Sequence, residues 1–93
     1  MRTYELTTIF RMSDEEFSKG KEFVSAELEK AGATIKSQED KGIREFAYSI
    51  KKEKRGRYLY LETELDPTKV IDLERAFLLS DSVLKFLFVK KES

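Results

Sequence analysis

Two groups of residues in this sequence have the type and spacing to do chemistry. The first is the run Lys51-Lys52-Glu53-Lys54-Arg55-Gly56-Arg57, five cations against one acid, a local net charge of +4. The whole chain holds 18 basic and 18 acidic residues, so everything outside that run sums to −4. A basic hairpin on an acidic body can dock a phosphate backbone by releasing condensed counterions, while the acidic body limits indiscriminate adhesion. Basic loops also occur on small domains that touch no nucleic acid, so the run alone leaves both readings open. Lys85, Lys90 and Lys91 either extend the basic surface or keep an edge strand from pairing with another chain. The second group is Tyr58 and Tyr60. With Leu59 and Leu61 turned toward a core, the two tyrosines point the other way and are suited to base stacking or to a partner's apolar side chains. The alternative is that they only shield the sheet, together with Ile9, Leu87 and Val89.

Catalysis finds little support. The chain has neither cysteine nor histidine, which removes the usual nucleophile, the usual general base and the commonest zinc ligands. No metal site and no cofactor is expected. Its serines lack an activating histidine. The four glycines, at 20, 32, 42 and 56, are isolated and form no phosphate-cradling loop. The carboxylates have ready roles as caps and solvated faces. Met1-Arg2-Thr3-Tyr4-Glu5 is not followed by the apolar run of a signal peptide, and no stretch approaches the ~18 apolar residues of a membrane span. The expected location is the cytoplasm, with no membrane partner.

The elements that must position these groups follow from periodicity. Residues 3–10 alternate, with Tyr4, Leu6 and Phe10 in one phase, and read as a strand. Ser13 followed by Asp14, Glu15 and Glu16 is a helix start, and the acids suit the positive end of the helix dipole. Phe17, Val24, Leu28 and Ala31 share one face of a helix over 14–31, stopped by Gly32. Extended structure follows from Ala33. Gly42 marks a bulge, and Ile43–Ile50 forms a second strand. The basic run 51–57 reads as a turn, and residues 58–65 as a third strand. Asp66-Pro67 opens a second helix carrying Val70, Leu73 and Phe77. Val83–Val89 is a last strand, apolar on both faces except at Lys85.

The order strand, helix, strand, strand, helix, strand predicts an α+β, ferredoxin-like βαββαβ domain spanning 1–93. It has a four-stranded antiparallel sheet, both helices on one face and the other face open. RNA-recognition-motif domains share this topology, but Arg57-Tyr58-Leu59-Tyr60 lacks their glycine-aromatic consensus.

At Gly42-Ile43-Arg44-Glu45-Phe46-Ala47-Tyr48-Ser49-Ile50-Lys51 the chain resembles the family of bacterial small-subunit ribosomal protein number six. Arg2, Tyr4-Glu5, a turn at Gly56 and the final Val83…Val89-Lys90 segment match as well, so the resemblance covers essentially the whole length. Phe46 replaces the usual leucine, and Ser49 replaces a frequent proline. The chain carries no glutamate-rich tail after Lys91, so the tail modification of some members is not expected. The resemblance implies a protein that binds 16S ribosomal RNA in its central domain as a heterodimer with small-subunit ribosomal protein number eighteen. It implies a monomer when free, with no DNA partner. On chemistry and position, phosphate contacts are expected at Arg2, Lys51, Lys52, Lys54, Arg55, Arg57 and Lys90. Partner contacts are expected at Arg44, Glu45, Tyr48, Tyr58 and Tyr60. The rivals on the same topology are a protein-interaction module without RNA contact and a metabolite-binding regulatory domain that self-associates. An acyl-phosphatase-like enzyme fits worst, since Arg11 has no glycine-rich loop beside it.

Overall fold

The computed structural model describes residues 1–91, so the last two residues of the expected 1–93 domain, where the tail would begin, lie outside it. The elements are β1 (Arg2–Phe10), α1 (Asp14–Lys30), β2 (Thr34–Ile50), β3 (Glu53–Leu65), α2 (Val70–Leu79) and β4 (Lys85–Lys90). A 3-10 turn, Pro67–Lys69, leads into α2. The sheet order is β2-β3-β1-β4 with every neighbour antiparallel, the ferredoxin-like arrangement expected.

Local chemistry accounts for the helix limits. The Ser13 hydroxyl accepts the Glu16 N–H at 3.2 Å, and three acids occupy the first turn of α1. Gly32 then takes φ 76°, a left-handed stop that costs glycine nothing. The Asp66 carboxylate accepts the Thr68 N–H at 2.9 Å ahead of Pro67. That bond, followed by one from the Thr68 hydroxyl, holds the Asp66 carboxyl below the usual carboxylate range.

The core lies between the sheet and the helices. Leu6 and Phe10 of β1, Leu59, Leu61 and Leu65 of β3, Val24 and Leu28 of α1, and Leu73 and Phe77 of α2 are buried. Phe77 stacks on Phe88 and meets Phe86 edge-on, which ties α2 to β4. Thr8 and Thr63 are buried on the same side, and each hydroxyl donates to a backbone carbonyl, of Leu59 and Thr34 respectively. Leu59 and Leu61 thus face the core, and Tyr58 and Tyr60 face the other side of the sheet.

The hairpin corrects the sequence reading in three places. β2 is one strand from Thr34, including its polar stretch, with the expected bulge at Gly42 (φ 83°). Residues 51–57 are not a turn: the chain reverses over Lys51 and Lys52 alone, at φ 48° and 69°, and Glu53 already belongs to β3. Gly56 is therefore a strand residue. A side chain there would lie 2.5 Å from the Phe46 ring and 2.6 Å from Ile9, so the bare backbone makes room for Phe46. The charges hid the strand because β1 ends at Phe10 opposite Arg57. Beyond that point the β2–β3 hairpin overhangs the sheet and needs no apolar face. The last strand is also shorter than expected, since Val83 and Leu84 are buried but precede β4.

Candidate functional site: the open sheet face and its hairpin

The open face divides into two halves. Toward the N-terminal end of β1, Glu5, Glu39, Glu62 and Glu64 alternate with cations. Lys91 meets Glu62 at 2.5 Å, Lys36 meets Glu64 at 3.9 Å and Lys41 meets Glu39 at 3.1 Å. The Lys91 bond holds the Glu62 carboxyl below its ordinary range and raises Lys91 in return. Tyr60 sits here, half-buried, with the Lys41 ammonium 5.7 Å from its ring centroid. Burial pushes its phenol up, and Glu5 and Glu62 add to the shift.

Toward the hairpin the surface becomes apolar and its free charges become positive. Ile9, Phe46, Tyr48, Ile50, Tyr58 and Leu87 line a groove of about 400 Å³ between the hairpin and β4. Phe46 tilts against Tyr58 at 6.3 Å, and the Arg44 guanidinium lies 5.5 Å from the Tyr58 centroid. Tyr48 is 84% exposed and Leu87 60% exposed, so apolar surface is offered to solvent. Lys85 lines the same groove, and Glu45 stands at its edge, paired with Arg55 at 3.2 Å. Four of the five partner candidates, Arg44, Glu45, Tyr48 and Tyr58, therefore gather at the groove, while Tyr60 lies in the mixed-charge half. Phe46 is central, although the sequence reading noted it only as a departure from leucine.

The phosphate candidates are not one patch. Arg2 pairs with Leu65 and Lys90 with Tyr4, both at the end of the sheet away from the hairpin. Eight residues of strand, about 27 Å, separate Arg2 from the level of Arg57. Within the hairpin the cations differ sharply. Arg57 donates to Asp40 through Nε at 3.1 Å and Nη2 at 2.6 Å, and to Asp14 through Nη1 at 3.0 Å. Its guanidinium also lies 3.8 Å from the Phe17 ring centroid, on the helix side. Arg57 holds the Asp40 carboxyl below the usual range, helped by the Gly42 N–H, and is itself raised mainly by Asp40. Lys51 donates to the Ser80 and Val83 carbonyls at 3.2 and 2.9 Å. Lys52 and Lys54 are exposed and make no ion pair among the described residues.

Among the described residues no group of three or more acidic side chains is placed to hold a metal ion, and no helix is long and apolar enough to cross a membrane.

The comparison with known proteins settles the class of molecule. Residues 3–90 match the family model for ribosomal protein S6. This chain belongs to the ribosomal protein S6 family. Small ribosomal subunit protein bS6 of Treponema denticola is 40% identical over 92 residues, covering 99% of either chain. The bS6 protein of Treponema pallidum is 40% identical over 93 residues and the full length of both. The crystal structure of 30S ribosomal protein S6 from Thermotoga maritima superposes with a TM-score of 0.86 at 26% identity, over 97% of this chain and 87% of that one. An S6-family chain is a constituent of the small ribosomal subunit, and so of the cytoplasm, and is not an enzyme.

Proposed function

We propose that this S6-family chain enters the small subunit as half of a heterodimer with small-subunit ribosomal protein number eighteen, bound to the central domain of 16S rRNA. The observation that carries this reading is the groove. It joins exposed apolar and aromatic side chains to a rim of two cations, Lys85 in its lining and Arg44 beside Tyr58, that have no acidic partner among the described residues. A protein partner buries the apolar floor, and RNA neutralises the rim. Neither half alone is extensive, which suits a chain that binds RNA weakly until its partner is in place. Arg2 and Lys90, at the far end of the sheet, supply a second and separate phosphate contact.

The test is binding to a 16S central-domain fragment, with and without the partner protein, across a salt series. Tight binding only with the partner is the expected result, and sedimentation of the free chain should give a monomer. Replacing Lys52 and Lys54 by alanine should reduce the salt slope by about one for each phosphate that is no longer neutralised. Equal binding without the partner would make the chain a primary RNA binder. No binding in either case would overturn the proposal.

A further inference from the structure

Lys51 stands apart from the other hairpin cations. Its side chain crosses from the tip of the β2–β3 hairpin to the segment between α2 and β4, where its ammonium reaches the carbonyls of Ser80 and Val83. Ser80 is the C-cap of α2, a helix with no basic residue in its last turn. Lys51 thus supplies, from another element, the cation that a helix C-terminus favours. Lys51 also lines a recess with Phe77, Val83, Leu84 and Phe86. Arg11, just after β1, donates to the intervening Asp81 carbonyl, so cations from two connecting segments reach this carbonyl cluster.

The rest of the tip is loosely held. Pairing between β2 and β3 is irregular from Glu45 to Ile50, and the reversal places two lysines at positive φ where Asn-Gly would be unstrained. Among the described residues, Lys51 makes the hydrogen bonds that join the tip to the body through a side chain. Tyr48 and Ile50 line the groove from the hairpin side and Lys85 to Leu87 from the β4 side, so the position of the tip sets the groove's width.

We infer that Lys51 is a clasp: a positioning residue that fixes the hairpin tip against the α2–β4 segment and so presets the groove for its protein partner, rather than a contact to phosphate. The role in docking rests on the proposed function above, whereas the clasp itself is a property of the free chain.

Lys51→Met removes the ammonium while keeping the stem and a similar backbone preference. Lys52→Met removes the same charge one position along, where the ammonium holds no carbonyl among the described residues. By amide hydrogen exchange on the free chain, Lys51→Met should speed exchange of the tip amides, residues 49–54, about tenfold, with Lys52→Met near wild type and Lys51→Arg restoring protection. With the partner protein present, Lys51→Met should weaken heterodimer formation several-fold with the salt slope on RNA unchanged, and Lys52→Met should do the reverse. Equal exchange in both methionine variants would overturn the clasp. Faster exchange with unaltered partner affinity would overturn the positioning role. If the wild-type chain bound no such partner, the docking reading would fail, and the exchange comparison would still decide the clasp.

Discussion

Replacing Arg57 by methionine isolates the network that holds the hairpin's base to the body. Methionine keeps most of the apolar stem and removes the guanidinium. Three interactions go with it: the two-point pair with Asp40, the bond to Asp14, and the stacking over Phe17. The Arg57 side chain is 23% exposed and that of Asp40 40% exposed, so their pair belongs near the upper end of the surface range, about 1 kcal/mol. The Asp14 side chain is fully exposed and is assigned nothing. The cation–π interaction adds about 0.5–1 kcal/mol. The expected destabilisation is then about 1.5–2 kcal/mol, or roughly 6–16 °C in Tm for a domain of this size. The assay is thermal unfolding by circular dichroism at neutral pH, in parallel for wild type, Arg57→Met, Asp40→Asn and the double variant. A coupling energy of about 0.5–1 kcal/mol between positions 40 and 57 is expected. The pH dependence supplies a second check. Arg57 depresses the Asp40 pKa in the folded chain, so the stabilisation is complete above the unfolded carboxylate value, ~3.9, and vanishes as pH falls through the folded value. The gap between wild type and Arg57→Met should therefore hold at pH 5–7, roughly, and narrow below about pH 4. A destabilisation under about 0.5 kcal/mol, or a gap that does not change with pH, would refute the network.

Other outcomes follow from the packing. Leu61 is fully buried, and Leu61→Ala should destabilise the fold by about 2–5 kcal/mol in urea unfolding; near-wild-type stability would mean that the tyrosines, not the leucines, face the core. Gly56→Ala forces Phe46 off Ile9, so it should cost about 1–3 kcal/mol and weaken partner binding together, which a titration of the folded variant would read. Gly20→Ala places a methyl 2.2 Å from the Phe10 ring and should destabilise by a similar ~1–3 kcal/mol while leaving the groove and partner affinity untouched.

What the sequence disclosed and what it withheld divide along physical lines. Helix α1 was readable because its signals are local: Ser13 with three acids at one end, Gly32 at the other, and apolar residues at helical spacing. The phase of β3 was readable because Leu59, Leu61 and Leu65 alternate with tyrosine and glutamate over a buried face. The hairpin turn was not readable, because Lys51 and Lys52 occupy left-handed positions without the glycine or asparagine that usually marks them. The partners of Arg57 were out of reach for another reason: Asp40 is 17 residues away and Asp14 is 43, so the pairing exists only after the bulge at Gly42 and the start of α1 have been brought together.

The same cause explains why the candidate RNA surface changed more than the candidate partner surface. Apolar and aromatic residues on one strand face stay together when the sheet forms, so alternation placed Tyr58 on the open face, and Arg44 and Tyr48, chosen by their position on the second strand, lie near it. Charges are different, because folding pairs them. Of the five cations at 51–57, Arg57 is neutralised by Asp14 and Asp40, Arg55 faces Glu45, and Lys51 is directed at carbonyls. Lys51, Lys52 and Lys54 keep charges with no acid paired to them among the described residues, and of these three Lys51 is engaged by backbone carbonyls. Lys85 is added from a distant strand, because the groove that it lines does not exist in the linear sequence. An RNA backbone would meet the folded distribution rather than the linear one, and a salt slope would count how many of these cations neutralise a phosphate.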